Sequence, residues 1–135
     1  SALLDVCHYN TYEGQAPIEL ENLAATTEEF YQLSLPRDGD TKSLFADIVY
    51  AISAGEDTTK IARGFINAVA DYIVATADEN KINQIVLSGG TFLNRILLEQ
   101  TIDKLESRNY KVYIAEQLPP GDGGICLGQA FLINR

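Results

Sequence analysis

Methionine and tryptophan are missing from this 135-residue chain, histidine occurs once as His8, and cysteine occurs only at Cys7 and Cys126. With a single histidine, a self-contained His-based catalyst or zinc site is not expected. Two cysteines far apart, in no metal-type spacing, make no disulfide framework, and a cytoplasmic compartment is expected. Basic residues are also few, 10 Lys and Arg against 19 Asp and Glu, for a formal net charge of −9. They are scattered, whereas a nucleic-acid backbone calls for clustered Lys and Arg, so no nucleic-acid partner is expected. No apolar run approaches the ~18 residues of a membrane span, and no signal peptide or membrane partner is expected.

What is present is ordinary for a globular domain: 46% apolar and 21% charged residues,. The length suits one domain or part of one, with a core of its own. No internal repeat and no low-complexity segment interrupts it.

The start, Ser1 to Cys7, reads as the tail of a helix. After the Thr11-Tyr12-Glu13-Gly14 turn, Pro17 sits early in a helix that buries Ile18, Leu20, Leu23 and Ala24 and runs to about Ala25. Glu29 to Leu35 reads as an imperfect strand, followed by an Arg37-Asp38-Gly39-Asp40 turn. Thr41 is the expected cap of a helix carrying Leu44, Phe45, Ile48, Val49 and Ile52, stopped by Gly55. Asp57 or Thr58 caps the clearest helix, in which Ile61, Phe65, Ala68, Val69, Tyr72 and Ile73 form one face.

Lys81-Ile82-Asn83 separates that helix from an Ile85 to Leu87 strand. A helix of about 17 residues is expected next, with Leu93, Ile96, Leu97 and Leu105 inward. Tyr110 to Ala115 then alternates as a strand. Strand, helix and strand at this spacing make a βαβ unit with parallel neighbours. A helix from Ile125 to Ile133 completes the pattern. The fold class is α/β.

Two glycine loops carry the chemistry. Ser88-Gly89-Gly90 leads from a strand into a helix, where small residues admit a phosphate to oriented backbone N–H groups and a favourable dipole. The alternative is a tight turn that merely needs glycine, and the residues alone do not separate the two. The spacing matches neither GxGxxG nor the Walker loop. In the second loop, Pro119-Pro120-Gly121-Asp122-Gly123-Gly124, Asp122 is either a helix cap, which the residues by themselves favour, or a metal-holding carboxylate. Glu13 and Gly14 could place a carboxylate over a ribose or form only a turn. Asn94 either reaches a sugar or base or lies on a solvated helix face. His8, Cys7 and Cys126 read as structural, and the carboxylates around Glu19, Glu28 and Asp38 as solvated.

In order along the chain, Tyr12-Glu-Gly-Gln-Ala16 with Ile18-Glu-Leu20, Leu87-Ser-Gly-Gly-Thr-Phe-Leu-Asn-Arg95, and Leu118-Pro-Pro-Gly-Asp-Gly-Gly-Ile-Cys-Leu-Gly-Gln129 resemble the HypF carbamoyltransferases of nickel–iron hydrogenase maturation. The resemblance is to the end of their C-terminal domain, which is similar to tRNA threonylcarbamoyl transferases, and it spans nearly the whole chain. It implies a ribonuclease-H-like lobe of the actin/Hsp70-like (ASKHA) superfamily, with residues 1–135 forming a single domain that is the second of two lobes. It also implies that ATP and carbamoyl phosphate become carbamoyl adenylate, whose carbamoyl group passes to the C-terminal cysteine of a HypE-like acceptor protein.

Carried over by residue, the resemblance implies that Ser88, Gly89 and Gly90 cradle nucleotide phosphates. Glu13 and Gly14 lie near the ribose, and Asn94 near the sugar or base. Asp122 is implied as one ligand of a divalent metal, the others falling in the other lobe. No residue here is implied to be catalytic without that lobe. The chain departs from the family's usual pattern at Gly121, where Asn is usual, and at Thr91 and Leu93, where Val and Gln are usual. Alternatives are a tRNA threonylcarbamoyl or O-carbamoyl transferase of the same superfamily, or a non-catalytic interaction module that kept the fold.

Overall fold

A computed structural model describes residues 1–80 and 82–133. Helices α1 (Gln15–Ala24), α2 (Thr41–Ser53) and α3 (Thr58–Asn80) come first. Strand β1 (Gln84–Leu87), helix α4 (Arg95–Glu106), strand β2 (Lys111–Ile114) and helix α5 (Ile125–Ile133) follow. Lys81, part of the expected helix–strand separator, lies outside the described residues.

The central element is α3. The Asp57 carboxylate caps it, accepting from the Thr59 N–H at 2.8 Å and the Thr59 hydroxyl at 2.7 Å,. Those two bonds, with a smaller contribution from the Lys60 charge, hold Asp57 below its ordinary pKa of 3.8. Burial on α3 extends well beyond the expected stripe. Ile61, Ala62, Ile66, Ala68 and Ala70 are all buried, packed with Ala24, Leu33, Leu44, Ile48, Ala51 and Leu97. A single amphipathic face underestimates it because α1, α2 and α4 all pack on this helix,.

Three local expectations are corrected. The start is a 3-10 turn over Ala2–Leu4, ending with Asp5 in the left-handed region at φ 57°, so no helix reaches Cys7. The α2 cap is Asp40, whose carboxylate accepts from the Lys42 N–H at 3.0 Å, and Thr41 is already helical. The 29–35 segment joins no sheet among the described residues. It runs extended along α3, with the Tyr31 N–H donating to the Lys60 carbonyl at 2.9 Å and Leu33 sunk into the core. Gly64 permits this approach: a Cβ there would stand 2.1 Å from the Tyr31 carbonyl oxygen.

The βαβ unit is as expected. β1 and β2 pair in parallel, in register from Gln84 with Lys111 to Leu87 with Ile114. Leu87, Val74, Ala77 and Leu105 form a second core beneath them. The expected 17-residue helix is divided, however. A 3-10 turn spans Gly90–Leu93, Asn94 is extended at φ −69°, ψ 108°, and α4 starts afresh at Arg95. α5 has the expected bounds yet buries no residue: Phe131 is 61% and Leu132 68% exposed. Among the described residues, no helix is long and apolar enough to cross a membrane.

Candidate functional site

The two glycine loops meet at the C-terminal end of β1. The Gly89 N–H donates to the Pro120 carbonyl at 2.7 Å, and the Ser88 hydroxyl donates to the same oxygen at 3.4 Å. Gly89 adopts φ 108°, ψ 158°, backbone open essentially to glycine alone,. Gly121 packs on Gly90 so closely that a Cβ on it would lie 3.3 Å from the Gly90 Cα. A side chain at 121, as in the usual family pattern, would need the neighbouring loop to give by a few tenths of an ångström.

These contacts divide the Ser88-Gly89-Gly90 motif. The Ser88 hydroxyl and Gly89 N–H are spent on holding the second loop. The N–H groups of Gly90 and Thr91 have no acceptor among the described residues. At the N-terminus of α4 two amides already have acceptors. Its Arg95 N–H donates to Glu21 Oε1 at 2.7 Å, and its Leu97 N–H donates to Asn94 Oδ1 at 2.8 Å. A carboxylate from α1 thus already meets the positive end of the α4 dipole. The amides left without an acceptor in the glycine motif are thus those that open the 3-10 turn.

A cleft of about 580 Å3 opens between α1, α3 and that turn, a volume in the range of small-ligand sites (~300–1,000 Å3),. Glu13, Gly14, Gly90 and Asn94 line it together with Glu21 and Thr91, above an apolar floor that includes Ile66, Val69 and Leu97. Four of the residues singled out in the sequence are therefore gathered in one cavity. Gly14 reaches it because its left-handed φ of 83° turns the chain into α1. Asn94 spends Oδ1 on the cap and leaves its amide Nδ2 unbonded among the described residues. Ser88 lines a different cavity, of about 500 Å3, against α3 and β1.

Asp122 lies outside both cavities, one residue from the Gly121–Gly90 contact. It begins a 3-10 turn over Asp122–Gly124, and the cap of that turn is Gly121. The capping role is thus not realised: the exposed Asp122 carboxylate accepts no side-chain cap bond. Among the described residues no three His, Cys, Asp or Glu side chains gather to hold a metal. His8 is engaged with Asp5 at 2.5 Å. Cys7 is buried and Cys126 exposed, its thiol on the Gly123 carbonyl. Glu19 is half-buried and accepts from the Gln15 amide at 2.6 Å, so it is not simply solvated.

Sequence reasoning missed Glu21 and the Pro120 carbonyl. Glu21 meets Arg95 across 74 positions of sequence, and no local pattern around it signals that contact.

The chain matches the family model described as Carbamoyltransferase, Kae1-like Domain, second subdomain, over residues 1–129. It is 36% identical over 137 aligned positions to the carbamoyltransferase HypF of Synechocystis sp., covering 96% of this chain and 18% of that protein. It is 28% identical to the probable carbamoyltransferase HypF of Methanocaldococcus jannaschii, with the same coverage of 96% and 18%. The crystal structure of full-length HypF in the phosphate- and nucleotide-bound form superposes with a TM-score of 0.83 at 38% identity, covering 98% of this chain and 19% of that one. The T. kodakarensis HypF structure gives 0.80 at 29% identity, with 95% and 18% covered. The chain spans about a fifth of the length of these relatives. With the family model covering nearly all of it and the fold shared throughout, the chain belongs to the HypF carbamoyltransferase family, as the second subdomain of the Kae1-like domain.

Proposed function

We propose that this chain is the nucleotide- and metal-contributing half of a carbamoyltransferase domain, the second lobe of an actin/Hsp70-like pair. The observation that carries the reading is the cleft, where Glu13 and Gly14 from one end of α1 face Gly90, Thr91 and Asn94, with N–H donors left unpaired. The Gly90 and Thr91 N–H groups receive phosphate oxygens, as turn amides do in anion-binding nests. Glu13 accepts from ribose hydroxyls beside Gly14, and Asn94 Nδ2 donates to the sugar or base. Ser88 and Gly89 act behind these by fixing the second loop. That loop presents Asp122 to a divalent metal whose other ligands lie in the other lobe, and the metal supplies charge neutralisation at the phosphate.

The substrate is carbamoyl adenylate, formed by the whole protein from carbamoyl phosphate and ATP. A thiolate of a HypE-like acceptor attacks the carbamoyl carbon. The C–S bond forms, the C–O bond to the AMP phosphate breaks, and AMP leaves with the electron pair. The residues of this chain bind and orient the adenylate, and none serves as the general base. The formal charge of −9 disfavours a tRNA acceptor,. The reading places the protein in the cytoplasm.

Binding ATP at about 10 μM requires roughly 7 kcal/mol, and each net hydrogen bond supplies about 1 kcal/mol. This half of the site by itself should therefore bind near millimolar concentrations or not at all. Amide NMR of this chain, alone and with the rest of the protein supplied, tests the reading. ATP with magnesium should shift Gly90, Thr91 and Asn94 in the assembled protein, while NAD should not. No shift at these positions in the assembled protein overturns the nucleotide site.

A further inference from the structure

We infer that Glu21 is a positioning residue for the nucleotide cleft, fixing the distance between its two walls through one backbone contact. This rests on the nucleotide reading above. One wall is α1 with Glu13 and Gly14 at its start, and the other is the Gly90–Asn94 turn leading into α4. Among the described residues, the bond from the Arg95 N–H to Glu21 Oε1 at 2.7 Å is the only hydrogen bond that joins them.

The chemistry of the pair suits a fixed brace. The acceptor is ionised and meets the positive end of a helix dipole, so the bond is charge-assisted. Glu21 is half-buried on the cleft lining and has no ion-pair partner among the described residues, while the Arg95 guanidinium turns away to Glu99 at 2.6 Å. The backbone contact is thus what orients the Glu21 carboxylate. Its charge also fills the α4 terminus, which directs phosphate oxygens to Gly90 and Thr91. With the brace removed, only apolar packing holds α1 against the turn, and nucleotide affinity bears the cost of fixing their spacing during binding,.

The contact can be deleted from either side. Glu21→Ala removes the acceptor, and Glu21→Gln keeps Oε1 in place without the charge. Arg95→Pro removes the donor at the first helical position, where proline is well accommodated, and Asn94 already has the extended ψ of 108° that a following proline prefers,. Glu99→Ala breaks the Arg95 ion pair alone.

Nucleotide binding by calorimetry and thermal melting, both in the full-length protein, read the outcome. Glu21→Ala and Arg95→Pro should each weaken ATP binding about tenfold. The double variant should be no weaker than either single one, because both delete the same bond. Glu21→Gln should retain most of the affinity, and Glu99→Ala should bind as the wild type does. Wild-type affinity in Glu21→Ala or Arg95→Pro overturns the proposal, and so do additive losses in the double variant. A lowered melting temperature with affinity intact also overturns it. If Glu21→Ala does not fold, Arg95→Pro decides alone. Wild-type protein that binds no nucleotide overturns the underlying reading, whereas wild-type binding unaffected by these variants overturns the brace only.

Discussion

The Gly89 amide donates to the Pro120 carbonyl at 2.7 Å, tying together two glycine loops that are well separated in the sequence. Gly89 can make this bond only from φ 108°, and Gly90 beside it has an ordinary backbone and open space where a Cβ would project. Gly89→Ala should therefore destabilise the fold by about 1–3 kcal/mol and release the second loop. Gly90→Ala should melt near the wild type yet weaken the proposed nucleotide binding, because its methyl enters the open space beside the Gly90 amide. Melting curves and ATP titrations of the two variants in the full-length protein check this, and equal behaviour refutes it.

The Asp122 carboxylate has no hydrogen-bond or ion-pair partner among the described residues. Asp122→Asn should leave the melting temperature of the metal-free protein unchanged and lower its content of bound divalent metal. Elemental analysis after dialysis, alongside calorimetry, measures both. A large drop in melting temperature would show that the carboxylate is structural after all.

Gly64 lets the 29–35 segment touch α3. Because a Cβ there would sit 2.1 Å from the Tyr31 carbonyl oxygen, Gly64→Ala should cost at least about 2 kcal/mol through overpacking against backbone,. The reference against which to judge it is Gly55→Ala, where φ of 81° strains the residue but nothing crowds it. Urea unfolding should show the larger loss at Gly64.

Asp57 has a folded-state pKa below 3.8, so its ionised form is favoured by folding. Its contribution is complete above the ordinary value of 3.8 and is lost as pH falls through the depressed one. Asp57→Ala should melt lower than the wild type at neutral pH, and the gap should close below pH 3.8. Thermal melts across that range provide the check, and a gap independent of pH would contradict the cap assignment.

The sequence alone placed α1, α3, β1, β2 and α5 to within a few residues, and for α1 and α3 the reason is a periodic apolar face beside a clear start signal. It failed at Glu29 to Leu35, where alternation signalled a strand. An extended segment becomes a strand only if another strand lies beside it, and here α3 does. It also ran one helix through Gly90 to Glu106. Asn94 has no local mark that separates a cap from a solvated position, and only the geometry shows its Oδ1 on the Leu97 amide.

The candidate site divides in the same way. Ser88-Gly89-Gly90, Asp122, Glu13 and Asn94 stood out as candidates through the glycine turns and the family resemblance, while their local pattern also fitted a turn, a cap or a solvated face. The sequence could not say which amides remain free. Backbone donors are identical at every residue, so their availability is decided by what reaches them, and here Pro120 takes Gly89 while Glu21 takes Arg95. Periodicity thus determined most of the elements, and the glycine motifs with the family resemblance marked the candidate residues. The long-range contacts of α1 with α4, and of one glycine loop with the other, decided which of those residues share a cleft.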